Sequence, residues 1–316
     1  MKWFNRLVNM ARSATTLEEF IKGEDDDGGV ALSGVYVNEE IAMTVSAVFA
    51  CVRVIAEDVA SLPLALYRRL ERGKEKATDH PLYYLIHDSP NPDMTAFAFK
   101  EAIMTNLLLW GNAYAQIIRD RYGNILSLHP LLSSRVMVKK NAEGERVFIY
   151  TNDKGQTFTL GRDQIFHVAG IGYDGLTGLS PIGVAREAVG LAKATEIYGN
   201  KFFANGARPG AVLEHPGQLK DPDKVRKSWE SVYKGAANAN KIAVLEEGMK
   251  LHEVGVPQKD AQFLETRQFQ LNEICRIFRV PPHLVGDLTR STFSNIEHQS
   301  IDYVVHTLRP WLVRIE

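Results

Sequence analysis

Glycines crowd residues 170–181, GIGYDGLTGLSP, just ahead of a helix start. That arrangement can let backbone N–H groups cradle a phosphate. The segment lacks the Gly-Lys-Ser/Thr ending of a P-loop, and Gly172, Gly175 and Gly178 do not make a GxGxxG pattern, so a flexible hinge is the expected role. His298, Asp302 and His306 recur every four residues and share one helix face, which could present three ligands to a divalent ion. No glutamate stands as in HExxH, so a polar face toward solvent or another subunit is expected, and no metal and no cofactor is assigned. Asp25, Asp26 and Asp27 lie in the acidic run GEDDDGG, which suits a solvated linker. Cys51 and Cys275 sit inside apolar, helix-like patterns far apart in the chain, without the local signature of a catalytic cysteine. They read as reduced core thiols, in keeping with a reducing compartment. There is no GxSxG, and nothing in these patterns points to an enzyme.

Cations form a second set. Lys224, Arg226 and Lys227 fall on the exposed sides of one short helix, Lys193, Lys201 and Arg208 along or just past a longer one, and Arg290 in a loop. Solvated surface charge is the default for each. Repeated around a ring, however, even one lysine per subunit becomes a belt of charge.

The elements that position these residues occupy 316 residues, 45% of them apolar, enough for two or three packed units. A net charge of −1 argues against gripping nucleic acid or an anionic membrane over the whole surface. No apolar run approaches a membrane span, and MKWFNRLVNMARS lacks the features of a signal peptide.

Residues 1–40 read as a loose N-terminal arm. Thr44 is the expected N-cap of a helix with Val48, Val52, Ile55, Val59 and Leu62 on one face, ended by Pro63. A strand in LALYRRL, a short helix after His80–Pro81, and a helix capped by SPNPDMT follow, the last with Phe97, Ile103, Leu107 and Trp110 inward. From Ala113 to Ala169, short alternating runs separated by YGN, NAEGE and NDKG predict an antiparallel meander. Residues 44–178 thus form one α+β body.

A single rod is predicted from Ser180 (N-cap) and Pro181 to Asn205–Gly206. Its expected apolar stripe is Val184, Ala188, Leu191, Thr195, Tyr198 and Phe202, with small residues elsewhere allowing close neighbours. Residues 210–257 predict a small module: a strand GAVLEH, a helix opened by Asp221–Pro222 with Val225, Trp229, Val232 and Tyr233 inward, and strands KIAVLEEG and MKLHEVG. Its core is too small for independence. A returning helix carries Leu264, Leu271, Ile274 and Phe278 and stops at Pro281–Pro282. After a loop, a last helix runs from Ile296 through Leu308, with Pro310 as a kink or end. The sequence halts at Glu316 in a helix-like pattern, predicting further chain beyond it.

Three stretches, HPLYYLIHDSPNPDMTAFAFKEAIMTNLLLWGNAYAQIIRD, GLTGLSPIGVAREAVGLAKATEIYGNKFFANGARPGAVL and EICRIFRVPPHLVGDLTRSTFSNIEHQS, resemble in order the bacteriophage portal protein family of long-tailed phages. The likeness covers about residues 44–316. It implies an α+β, multidomain subunit: an α+β wing over 44–178, a first stem helix at 179–209, a small α/β clip at 210–257, a second stem helix at 258–280, a channel loop at 281–295 and a wing helix at 296–316. The family continues into a helical crown. The resemblance also implies a ring homo-oligomer, commonly a dodecamer, at a capsid vertex of the virion and assembled in host cytoplasm. Its implied partners are non-specific double-stranded DNA, the terminase large subunit, capsid protein and the head–tail adaptor, with no membrane. On that frame Arg290, Asp287, Thr289 and Ser291 are DNA-channel candidates, and Lys224, Arg226, Lys227, Trp229 and Tyr233 are subunit or motor interface candidates. Two other readings stand beside it. An enzyme would bind an anionic substrate at Gly172–Gly178, and a head–tail adaptor ring would not need the excursion over 180–280.

Overall fold

In the computed structural model, which describes residues 29–204, 211–218, 221–233, 248–253, 260–289 and 293–316, order begins well before Thr44. The Asn38 side chain accepts from Ile41 N and opens a short helix α1 (Glu39–Met43). Thr44 closes that helix, its hydroxyl donating to Ile41 O, instead of opening the next. Helix α2 (Ser46–Ser61) then buries Val48, Val52, Ile55 and Val59 as the spacing predicts, each contributing roughly 1.5–3 kcal/mol. The expected loose arm is corrected over 29–40. Ala31 and Val37 are buried, Leu32 N donates to Glu187 Oε2 at 2.9 Å, and Ala31 packs on Gly190, where a Cβ would approach to 2.4 Å. Residues 1–28 of that arm lie outside the described residues.

Strands β1 (Tyr67–Arg69) and β2 (Lys74–Lys76) make a fully exposed ribbon. Helix α3 (Pro81–His87) starts at His80, whose Nδ1 accepts from Leu82 N. Helix α4 (Ala96–Trp110) is capped by Thr95 and ended by Gly111 at φ +71°. It buries Phe99, Ile103, Met104, Leu107 and Leu108 against α2, whereas Phe97 is exposed. Phe97 and Phe99 lie about 200° apart on the helix, so only one of them can face the core.

The predicted meander divides into two three-stranded antiparallel sheets. Strand β3 (Asn112–Arg119) is central between β4 (Ile125–Leu131) and β8 (Ile165–Ala169), while β5 (Val136–Lys140), β6 (Arg146–Thr151) and β7 (Thr157–Leu160) form the other sheet. The return of β8 to β3 gathers Tyr114, Leu131, Phe148, Leu160 and Ile165 into a second small core. Hairpin turns fix neighbouring strands, but only burial decides such a long-range pairing.

The predicted rod is two helices, α5 (Pro181–Val184), capped by Ser180, and α6 (Arg186–Ala204), with Ala185 at φ −96°, ψ 18° between them. Half of its expected stripe faces outward: Val184, Leu191 and Tyr198 are 60%, 47% and 50% exposed, Ala188 and Thr195 are partly buried, and the side chain of Phe202 lies outside the described residues. Ile182, Val189, Gly190, Ala192 and Gly199 point inward instead. The small residues won that face because other parts of the chain come within contact there, including the Phe263 ring, 2.8 Å from a Cβ placed on Gly199.

Strand β9 (Ala211–Glu214) pairs antiparallel with β10 (Lys250–Glu253), and α7 (Pro222–Tyr233) lies between them in sequence. Asp221 Oδ1 accepts from Lys224 N at the start of α7. The strand expected at KIAVLEEG falls almost wholly outside the described residues. Helix α8 (Asp260–Phe278) returns beside α6, and buried Gln270 donates to Thr195 Oγ1 at 2.8 Å. The last helical run is α9 (Phe293–Tyr303), a π turn (Val304–Leu308) and α10 (Arg309–Ile315). Pro310 neither ends nor replaces the run but sits in the first turn of α10, after the π turn has already shifted the bonding pattern. Helices and antiparallel sheets occupy separate parts of the molecule, an α+β fold.

Candidate functional site

The root of the helix pair is where most of the singled-out residues converge. Ile274, Cys275 and Phe278 of α8 and Val189 and Ala192 of α6 enter the main core with α2. Cys51 and Cys275 meet there, both buried, with 4.0 Å between sulfurs. Their mutual contact, then burial, push the Cys51 thiol far above its usual range, so it stays protonated at neutral pH. Tyr303 of α9 donates to Asp58 Oδ2 at 2.8 Å, tying the last helix to α2.

Helix α8 ends in a Schellman motif: Val280 N donates to Cys275 O at 2.9 Å and Arg279 N to Arg276 O at 3.3 Å. The loop that follows is braced. A 3-10 turn (Pro282–Val285) is closed by Gly286 at φ +88°, and the His283 ring contacts Gln299 Oε1 at 3.0 Å. Of the channel-loop candidates, Asp287 and Thr289 are brought together. Asp287 accepts from Thr289 N at 3.0 Å, from the Thr289 hydroxyl and from Gln268 Nε2 on α8. Its carboxylate therefore ties the loop to the helix. Arg290 and Ser291 lie outside the described residues. Lys224 and Lys227 are exposed on α7, whereas the side chains of Arg226, Trp229 and Tyr233 on that helix are outside the described residues.

Asp302 and His306 line a cavity of about 380 Å³ between the end of α8 and the π turn, but His298 does not reach it. The π turn begins between these residues and breaks the four-residue repeat on which a three-ligand face depends. Among the described residues no three His, Cys, Asp or Glu side chains gather as a metal cluster.

The glycine-rich bridge is not a free hinge. Asn112 Nδ2 donates to Gly178 O at 2.7 Å and its Oδ1 accepts from Gly178 N at 2.8 Å, while the His167 ring contacts the same oxygen at 3.1 Å. The N–H groups of Leu176 and Thr177, which a phosphate would need, donate to Asp174 Oδ1 instead. These bonds hold the Asp174 carboxyl below the usual range. Gly178 is required because a Cβ there would stand 1.9 Å from Gly111 O. Asn112 and Arg279 were not anticipated. A Gly-Asn pair at a helix end signals only a turn, and the backbone state of Arg279 leaves no mark in its spacing.

Among the described residues no helix is long and apolar enough to cross a membrane. Comparison with known proteins adds the identity of the architecture. The phage portal protein family profile matches residues 46–316. The probable portal protein of Streptomyces phage phiC31 is 41% identical over 306 residues, and the portal protein of Enterobacteria phage HK97 is 36% identical over 287. Those alignments cover 92% and 89% of this chain, which spans 66% and 67% of the two relatives' lengths. A chain in the neck of a native gene transfer agent (GTA) particle, computed with C12 symmetry, is 26% identical with a TM-score of 0.59, covering 84% of this chain and 73% of that one. With a braced α+β body, a rooted helix pair and a match across most of its length, this chain belongs to the phage portal protein family.

Proposed function

We propose that the chain is a structural subunit, not a catalyst, of a ring of twelve copies at a capsid vertex. Through that ring double-stranded DNA passes inward during packaging and outward during ejection. The wing, stem, clip and channel-loop boundaries given above are the working division of the subunit. The clip, with Lys224, Arg226, Lys227, Trp229 and Tyr233, meets the terminase motor and later the head–tail adaptor, and the ring sits among capsid protein after assembly in host cytoplasm. One observation carries this reading: Leu191 and Tyr198 of α6 and Leu264 and Phe269 of α8 are exposed on helices that bury other residues in the core of the same chain. Among the described residues that surface stays largely uncovered, and a head-to-tail contact closes into a ring when each copy offers two different faces. The C12 symmetry of the gene transfer agent neck supports the count.

The test is direct. Purified chain is followed by light scattering and negative-stain imaging over rising concentration. Closed rings that disappear in Leu191→Ser/Tyr198→Ser are expected. A strictly monomeric protein at all concentrations would overturn the reading.

A further inference from the structure

Nine glycines among the described residues adopt left-handed backbone, and a single non-glycine joins them: Arg279, at φ +56°. It occupies the position of a Schellman motif where glycine is favoured for lack of a Cβ. Glycine would serve the backbone better, so the retained arginine side chain points to a role outside the turn. The surroundings hold the strained residue in place. The Thr307 hydroxyl, from the π turn, donates to Arg279 O at 2.6 Å. π turns are uncommon and recur at functional sites.

Arg279 and Arg276 both line the 380 Å³ cavity, beside His306. Both arginines are exposed, and neither forms an ion pair among the described residues. Asp302 is the carboxylate on the wall, so with His306 neutral the lining carries a net charge of +1 (two arginines less one aspartate). Pro281, Pro282 and Tyr303 supply an apolar side to the hollow. Arginine is the side chain whose guanidinium fork engages phosphate oxygens in pairs, and two of them line this one recess.

We propose that this cavity engages phosphodiester oxygens of duplex DNA, making Arg276 and Arg279 the cationic contacts at the foot of the channel loop. The inference rests on the conduit reading above. Asp302 keeps the net charge small, so each contact is weak and released by salt, as a duplex that must slide requires. An acidic protein segment is the competing occupant, and the experiment separates the two.

Binding of a short labelled duplex is measured by fluorescence anisotropy across roughly 50–200 mM salt for wild type, Arg276→Gln, Arg279→Gly and Arg279→Lys. Wild type should bind with a salt-dependent affinity. Arg276→Gln and Arg279→Gly should each lower the slope of log affinity against log salt by about one, across all duplex sequences. Arg279→Lys should keep the wild-type slope. Arg279→Gly should also melt at a higher temperature than wild type, since glycine relieves the left-handed backbone. Raised melting with unchanged affinity and slope means that the arginine does no more than end the helix, and overturns the proposal. Binding of a polyglutamate peptide in place of the duplex, lost in Arg279→Gly, also overturns it in favour of a protein partner. Rings that form normally while either of those results holds leave the conduit reading intact, whereas absence of both rings and duplex binding removes the two together.

Discussion

The two ends of one helix pair live in different environments. At the root, Val189, Ala192, Ile274, Cys275 and Phe278 are buried with α2. Toward the far end, Leu264 and Phe269 are 66% and 57% exposed on the same helix α8. Both ends are apolar, so residue type alone does not separate them. The difference is a partner: the root meets α2 of its own chain, whereas at the far end Phe263 packs on Gly199 of α6 and Leu264 and Phe269 stay largely uncovered among the described residues. In the proposed ring, the root anchors the subunit and the exposed surface makes the contacts between copies.

That contrast can be broken experimentally. The largest effect is expected at the root, where Phe278→Ala should cost about 3–5 kcal/mol in urea unfolding, through lost burial and an unfilled cavity. A loss below about 1 kcal/mol would show that α8 is not anchored there.

Acid should loosen the body around His167. His167 stacks on Tyr114 with ring centroids 4.6 Å apart, and burial, then Arg146, pull its pKa from 6.5 down to about 4. Because the folded value is the lower one, the unfolded chain takes up the extra proton between them. His167 therefore supports stability fully above pH 6.5 and loses that support as pH falls toward 4. Unfolding midpoints measured through this window should fall in wild type and flatten in His167→Gln. An equal fall in both assigns the acid response elsewhere.

The smallest effect on the folded subunit belongs to the exposed outer face of α6, where Leu191 stands between buried Val189 and Ala192. Leu191→Ser/Tyr198→Ser should change subunit stability by no more than about 0.5 kcal/mol, while removing the assembly expected of wild type. A large loss of stability in the isolated subunit would erase the distinction between the buried root and that exposed face.

Local signals were legible wherever neighbours in the chain decide the outcome. Thr95 and Ser180 cap helices, Gly111 ends one, and Val48, Val52, Ile55 and Val59 share a buried face. Asp221 opens α7 through its side chain. Signals failed where distant contacts decide. The stripe Val184, Leu191 and Tyr198 has faultless helical spacing, yet Gly190 and Gly199 take the inner face because Ala31 and Phe263 approach there. The same cause explains the bridge at 170–179, whose glycines are needed for contact with Gly111 and whose N–H groups are already engaged. The candidate site was legible only in part. Asp287 and Thr289 do come together, but the carboxylate is used to fasten its own loop.

By itself the amino-acid order determined most element types and most of the caps, because these depend on hydrophobic period and on side chains within a few residues of the backbone groups they satisfy. Tertiary structure decided which face of α6 is buried, which strand β8 joins, and that Arg279 would stand strained beside a cavity. Those outcomes follow from close packing among residues far apart in the chain, whose competition for the same space no local pattern records.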